Sequence, residues 1–214
     1  MKDHIIKQTE EFVRHELSED STGHDWYHVD RVRRNALHIC KEEQAGDLFI
    51  VEMAALLHDI PDEKINESIE KGEQKLENFL QSISLTAGEK SQIKQIISTI
   101  SFKGGNFAKL ESIEAEIVQD ADRLDAIGAI GIARAFAYGG KKGQPIYNPE
   151  IKVREGMTLE EYRKGKSTSI HHFYEKLLKL KDLLNTDSAK KMARSKQQMM
   201  QLFLDQFFQE WNGK

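Results

Sequence analysis

The chain has 214 residues, with 31 Lys and Arg against 35 Asp and Glu, a formal charge of −4, 39% hydrophobic residues and one cysteine. No apolar run approaches the roughly 18 residues of a transmembrane helix, and the start Met1-Lys2-Asp3-His4-Ile5-Ile6-Lys7 lacks a secretory core of about 7–15 apolar residues. Lone Cys40 excludes a disulfide framework and a cysteine-based zinc cluster, and predicts a buried small hydrophobe in a protein of the reducing cytoplasm.

Helical periodicity runs along almost the whole chain. Ile5, Phe12, Val13 and Leu17 repeat at helical spacing, and so do Val32, Ala36, Ile39 and Cys40 after a turn at Gly23. Leu48 to Ile60 is the most apolar stretch and predicts a central buried helix, stopped by Pro61 with His58-Asp59 at its end. Thr86 and Glu89 form a capping box that opens a helix to about Ile100, and Gly104-Gly105-Asn106 breaks the chain. Glu111 to Ala137 reads as one or two helices, with small residues at Ala126, Gly128, Ala129, Gly131 and Ala133 for close packing. A glycine- and proline-bearing loop follows over 139–166, with a second capping box at Thr158-Leu159-Glu160-Glu161. His171–Leu184 and Ala189–Trp211 read as the last two helices, whose Phe203, Phe207, Phe208 and Trp211 stripe predicts core or a homodimer contact. The expected fold is one all-α domain with a core over about 20–140 and C-terminal helices over 167–212.

The net charge gives no argument for a nucleic-acid or membrane partner. Residues 151–200 hold 12 Lys and Arg against 6 Asp and Glu, a balance of +6 that leaves −10 for the rest. That basic segment suits a small anionic ligand as well as a solvated helical face. Gly165-Lys166-Ser167-Thr168 imitates the end of a phosphate-binding loop, but the glycine required five residues earlier is Glu160 and no strand precedes it.

The stronger signal is spread over a hundred residues: His28, then His58-Asp59, then Asp122 in Ala121-Asp122-Arg123-Leu124. A histidine and a carboxylate at the end of a buried segment need compensation, which a divalent ion supplies. In order and in context, these residues resemble the HD superfamily of metal-dependent phosphohydrolases. The Tyr138-Gly139-Gly140 and Ser169–Leu178 stretches are similar to a small, single-domain bacterial branch that includes nucleoside-triphosphate pyrophosphohydrolases.

The resemblance implies one divalent ion held by His28, His58, Asp59 and Asp122, with Asp120 the rival for the fourth position and Asp125 a supporting neighbour. Manganese is the first expectation, with magnesium, cobalt, iron and nickel as alternatives. Asp62 or Glu63 would orient water or protonate the leaving group, unless both are solvated residues after a helix-ending proline. Arg31, three residues after His28, would reach a phosphate or pair with a carboxylate; Lys64 and Lys166 are further phosphate contacts. His24 and His172 read as pocket or structural residues. The implied reaction is hydrolysis of a nucleoside triphosphate to monophosphate and pyrophosphate. The alternatives are a nucleoside monophosphate phosphatase or phosphodiesterase, or a metal- and nucleotide-binding regulatory module without turnover.

Overall fold

The computed structural model describes residues 2–18, 25–62, 65–100, 110–154, 156 and 165–214, and all regular structure among them is helical. The all-α expectation therefore holds. The predicted breaks and caps at Gly23, Gly104–Asn106 and Thr158–Glu161 lie outside the described residues. Two compact units appear, one of Met1–Ser101 and Phe107–Ala121, the other of Phe102–Asn106 and Asp122–Lys214.

The first unit holds helices α1 (Lys2–Glu16), α2 (Trp26–Glu43), α3 (Leu48–Leu57), α4 (Ile69–Ser82), α5 (Ala87–Ile100) and most of α6 (Ile113–Asp125). Its centre is α3, where Val51, Met53, Ala54, Ala55, Leu56 and Leu57 are wholly enclosed and α1, α2 and α5 pack alongside. Each large side chain buried there contributes about 1.5–3 kcal/mol. Asp47 caps α3, accepting from the Phe49 and Ile50 amides at 2.8 and 3.2 Å, while its own amide donates to Glu114 of α6 at 3.0 Å. Arg33 of α2 joins three helices, reaching Glu10 of α1 at 2.8 Å and gripping Glu52 of α3 at 2.6 and 2.7 Å.

Three features differ from the sequence reading. Helix α3 stops at Leu57, short of Ile60: the Ile60 amide bonds to Leu57 at 3.1 Å, and this tightened turn carries His58 and Asp59 beyond the helix. Helix α4 has no counterpart in the reading. Its buried stripe is Gly72, Leu76 and Leu80, and a glycine in the stripe carries no hydropathy signal. The glycine is required, because a Cβ there would lie 2.7 Å from the Pro61 carbonyl oxygen and 2.8 Å from the Pro61 Cα. The Thr86–Glu89 capping box, by contrast, is present: Glu89 accepts from the Thr86 amide at 2.8 Å and donates its amide to the Thr86 hydroxyl at 3.2 Å.

The second unit holds the end of α6, then α7 (Gly128–Lys141), α8 (Ser169–Glu175), a 3₁₀ helix (Leu177–Leu183) and α9 (Asp187–Trp211). Helix α7 extends three residues into the expected loop. Its Gly139 lets α8 approach, since a Cβ would strike the Ser169 hydroxyl. The single helix expected over His171–Leu184 is broken at Lys176, where the backbone turns to φ −138°, ψ −61°. Beyond the break, Leu177 and Leu180 are buried at the three-residue spacing of a 3₁₀ helix, and the Arg123 guanidinium donates to the Leu183 carbonyl. The aromatic stripe of α9 is not core: Phe203, Phe207 and Phe208 are half-buried and Trp211 is exposed, with Phe203 stacked on Phe173 at 5.6 Å and Phe207, Phe208 and Trp211 around Tyr147 at 5.0–6.0 Å. The buried residues of the helix are Ala189, Ala193, Met200 and Leu204.

His172 carries a pH signature. Desolvation, and then the nearby Lys176 charge, lower its pKa to about 3. Below the ordinary histidine value the unfolded chain takes up a proton that the native state refuses. Stability present above about pH 6.5 is thus lost as pH falls towards 3, with a limiting slope of about 1.4 kcal/mol per pH unit. His172→Asn is expected to remove that slope in urea unfolding measured at about pH 6, 5 and 4; parallel slopes in the two proteins would refute it.

Candidate metal centre

The first residue of the site is set by a helix cap. Asp25 accepts the His28 amide at 2.9 Å, which starts α2 and places His28 in its first turn with its side chain fully enclosed. His58 and Asp59 come from the tightened turn after α3, and both are buried. Asn66 supports this turn, donating to the carbonyls of Ile60 and Asp62 at 2.7 and 2.9 Å, and the Asp62 amide bonds to Asp59 at 2.9 Å. Sequence reasoning missed Asn66, which lies in no periodic pattern.

The three side chains converge. One Asp59 oxygen lies 3.3 Å from His28 Nε2 and the other 3.4 Å from His58 Nε2, with the imidazoles edge to face at 5.3 Å between centroids. One ligand-competent atom from each of the three lies within 4.8 Å of the others. His58 Nδ1 is 2.8 Å from the Ala55 carbonyl, which can only accept, so Nδ1 carries the proton and Nε2 keeps its lone pair. A lone pair and a carboxylate facing one another repel until a cation lies between them. Imidazole nitrogen with carboxylate oxygen, and no thiolate, is a donor set for a divalent ion of the manganese, iron or cobalt kind. The residues present therefore fit a metal.

The other predicted site residues are placed as follows. Arg31 is half-buried on α2, one turn after His28, and Asp62 is half-buried in the turn after Asp59. Glu63, Lys64 and His24 lie outside the described residues. Asp120 and Asp122 are both on α6, the first fully buried and the second half-buried, and Asp122 groups with the second unit. Asp125 is buried and paired with Arg134 of α7 at 2.6 Å. Lys166 is exposed.

The decoy phosphate loop is occupied with structure. Thr168 caps α8 by accepting the His171 amide at 3.0 Å. Ser167 donates to Glu175 at 2.9 Å. Burial alone would push the Glu175 carboxyl up, but hydrogen bonds from the side chain and amide of Arg154 and from Ser167 outweigh it and hold it below the usual carboxylate range.

The HD-domain family model matches residues 25–127, a span running from the Asp25 cap past Asp122. A crystal structure of an HD-superfamily hydrolase from Bacillus thuringiensis is 44% identical and superposes with a TM-score of 0.78 over 100% of both chains. The chain belongs to the HD superfamily of metal-dependent phosphohydrolases. A Lactobacillus plantarum protein is similar at 42% identity with a TM-score of 0.89, covering 99% of this chain and 98% of that one. YpgQ of Bacillus subtilis is 38% identical over 213 residues, 97% of this chain and 96% of YpgQ. The crystal structure of YpgQ in complex with ADP superposes with a TM-score of 0.76 at 35% identity, covering 96% of this chain and 97% of YpgQ. HD domains hold divalent metals, in agreement with the donor set found here. Among the described residues, no helix is long and apolar enough to cross a membrane.

Proposed function

We propose that the protein hydrolyses nucleotides, converting a nucleoside triphosphate to its monophosphate and pyrophosphate with one divalent ion, manganese first. The observation that carries this reading is the convergence of His28, His58 and Asp59 within 4.8 Å, built so that His58 offers a lone pair. Similarity to YpgQ, solved in complex with ADP, supports a nucleotide as the ligand. On the sequence pattern, Asp122 is the fourth ligand. A divalent ion there supplies Lewis-acid charge to a phosphoryl group and acidifies water.

The chain's own residues have separate tasks in this reading. His28 and His58 donate electron pairs, and the Ala55 carbonyl fixes the His58 tautomer. Asp59 contributes negative charge to hold the cation. Asp62 or Glu63 takes or gives the proton exchanged with water and leaving group. Arg31, Lys64 and Lys166 bind phosphate oxygens, Arg31 through a planar fork and the lysines as point charges.

The test is a nucleotide panel with manganese, magnesium or cobalt, scoring pyrophosphate and orthophosphate separately. Triphosphates are expected to yield pyrophosphate. Orthophosphate from monophosphates alone would assign a phosphatase instead, cleavage of phosphodiesters alone a phosphodiesterase, and tight nucleotide binding without turnover a regulatory module.

A further inference from the structure

Tyr27 is the most exposed large apolar side chain among the described residues, at 67%, and it stands immediately before His28 in the first turn of α2. Among the described residues its side chain makes no hydrogen bond, ring contact or cation contact. Its neighbour Trp26 is placed oppositely: it is buried, and the Arg14 guanidinium lies over its ring at 3.8 Å, so that face is already taken.

Helix geometry orders the residues of this turn. At about 100° per residue, Arg31 lies about 60° round α2 from His28, and Tyr27 lies about 40° further in the same sense. Tyr27 and Arg31 are one turn apart, which puts about 5–6 Å between their Cβ atoms. Exposure rises in the same order: the His28 side chain is wholly enclosed, Arg31 is half-buried and Tyr27 is open. All three belong to the first unit, as do His58 and Asp59.

We propose that Tyr27 is the platform on which the base of the bound nucleotide stacks, with Arg31 between it and the metal centre. The inference rests on the nucleotide reading above and adds to it the residue that holds the base. A nucleotide has the same order of chemistry: its phosphates carry the charge that a metal and a guanidinium attract, and its base is a flat surface that gains from covering an aromatic ring. Tyrosine suits this use because only two side-chain torsions are fixed when it is covered. Every base has such a face, so the contact grows with ring area, stronger for purines than for pyrimidines, and does not choose among bases by hydrogen bonds.

The experiment measures binding by isothermal titration with manganese present. The ligands are nucleoside triphosphates whose α and β phosphates are joined by a methylene group, in adenine and cytosine forms, and inorganic triphosphate as the ligand without a base. Tyr27→Ala is expected to weaken binding of the adenine form about tenfold, the scale of one base–aromatic stack, and of the cytosine form less. Inorganic triphosphate is expected to change by less than about twofold, since it has no base to stack. Tyr27→Phe keeps the ring and is expected to restore the adenine affinity to within about twofold. Truncating so exposed a side chain leaves the fold intact, and manganese titrated alone reports whether the neighbouring His28 is disturbed. An unchanged nucleotide affinity in Tyr27→Ala, or a loss as large in Tyr27→Phe, overturns the stacking role and leaves the nucleotide reading standing. An equal loss for inorganic triphosphate, or weaker binding of manganese alone, also overturns it and assigns Tyr27 to the support of the metal centre. Failure of the unaltered protein to bind the nucleotide forms overturns both.

Discussion

Asp59→Asn is expected to abolish tight manganese binding and with it hydrolysis, lowering both by more than about 100-fold. The bound comes from metal sites in which losing a partner outside the coordination sphere alone costs about 10–100-fold; Asp59 faces both imidazoles directly, at 3.3 and 3.4 Å. The change keeps size and shape, so it removes charge rather than packing, and circular dichroism is expected to stay unchanged. Isothermal titration with manganese reads the metal directly, without relying on a substrate. A variant that binds manganese within threefold of the unaltered protein would remove Asp59 from the ligand set. The same titration separates the α6 candidates: Asp122→Asn is expected to weaken manganese binding and Asp120→Asn is not. The reverse pattern would assign Asp120.

Much of the site was legible because it interrupts something regular. His58 and Asp59 stand out as ionisable residues at the end of an apolar run, and their burial together with His28 is what that run implies. The missing cysteines likewise pointed to nitrogen and oxygen ligands, which the converging imidazoles and carboxylate provide. The tautomer of His58 was not legible, because it depends on a main-chain carbonyl at Ala55 that is left without a helical partner only once α3 ends at Leu57. Helix α4 escaped notice because Gly72 occupies its buried stripe, where close approach to Pro61 forbids a side chain. The break at Lys176 escaped because Leu177, Leu180 and Leu184 fit a 3.6-residue period about as well as a three-residue one. Glu175 had no local signature at all: its partners lie 21 and 8 residues away, and such pairing leaves no periodic trace.

Arg154→Ala carries the second large expected effect, and its sign follows from burial. Among the described residues, the Glu175 carboxylate, which has 1% of its side chain exposed, is paired with the Arg154 guanidinium at 2.7 Å and otherwise accepts only from the neutral Ser167 hydroxyl and the Arg154 amide. Removing one member of such a pair leaves a charge without compensation, at a cost of about 3–5 kcal/mol. For a chain of this size that corresponds to a drop in Tm of about 6–20 °C. The loss is specific to the charge, so Arg154→Ala combined with Glu175→Gln is expected to recover most of it, since a neutral amide no longer needs the guanidinium. The pH dependence gives an independent sign. In the unaltered protein the Glu175 pKa is depressed, so its contribution is complete above the unfolded value of about 4.3 and is lost as pH falls through the lower native value. In Arg154→Ala burial acts with less opposition and raises the carboxyl, so the variant's deficit narrows on acidification, as protonation removes the stranded charge. Thermal unfolding at about pH 7 and about pH 4 checks both statements. A deficit below about 1 kcal/mol, the range of exposed pairs, would show that solvent rather than Arg154 neutralises Glu175.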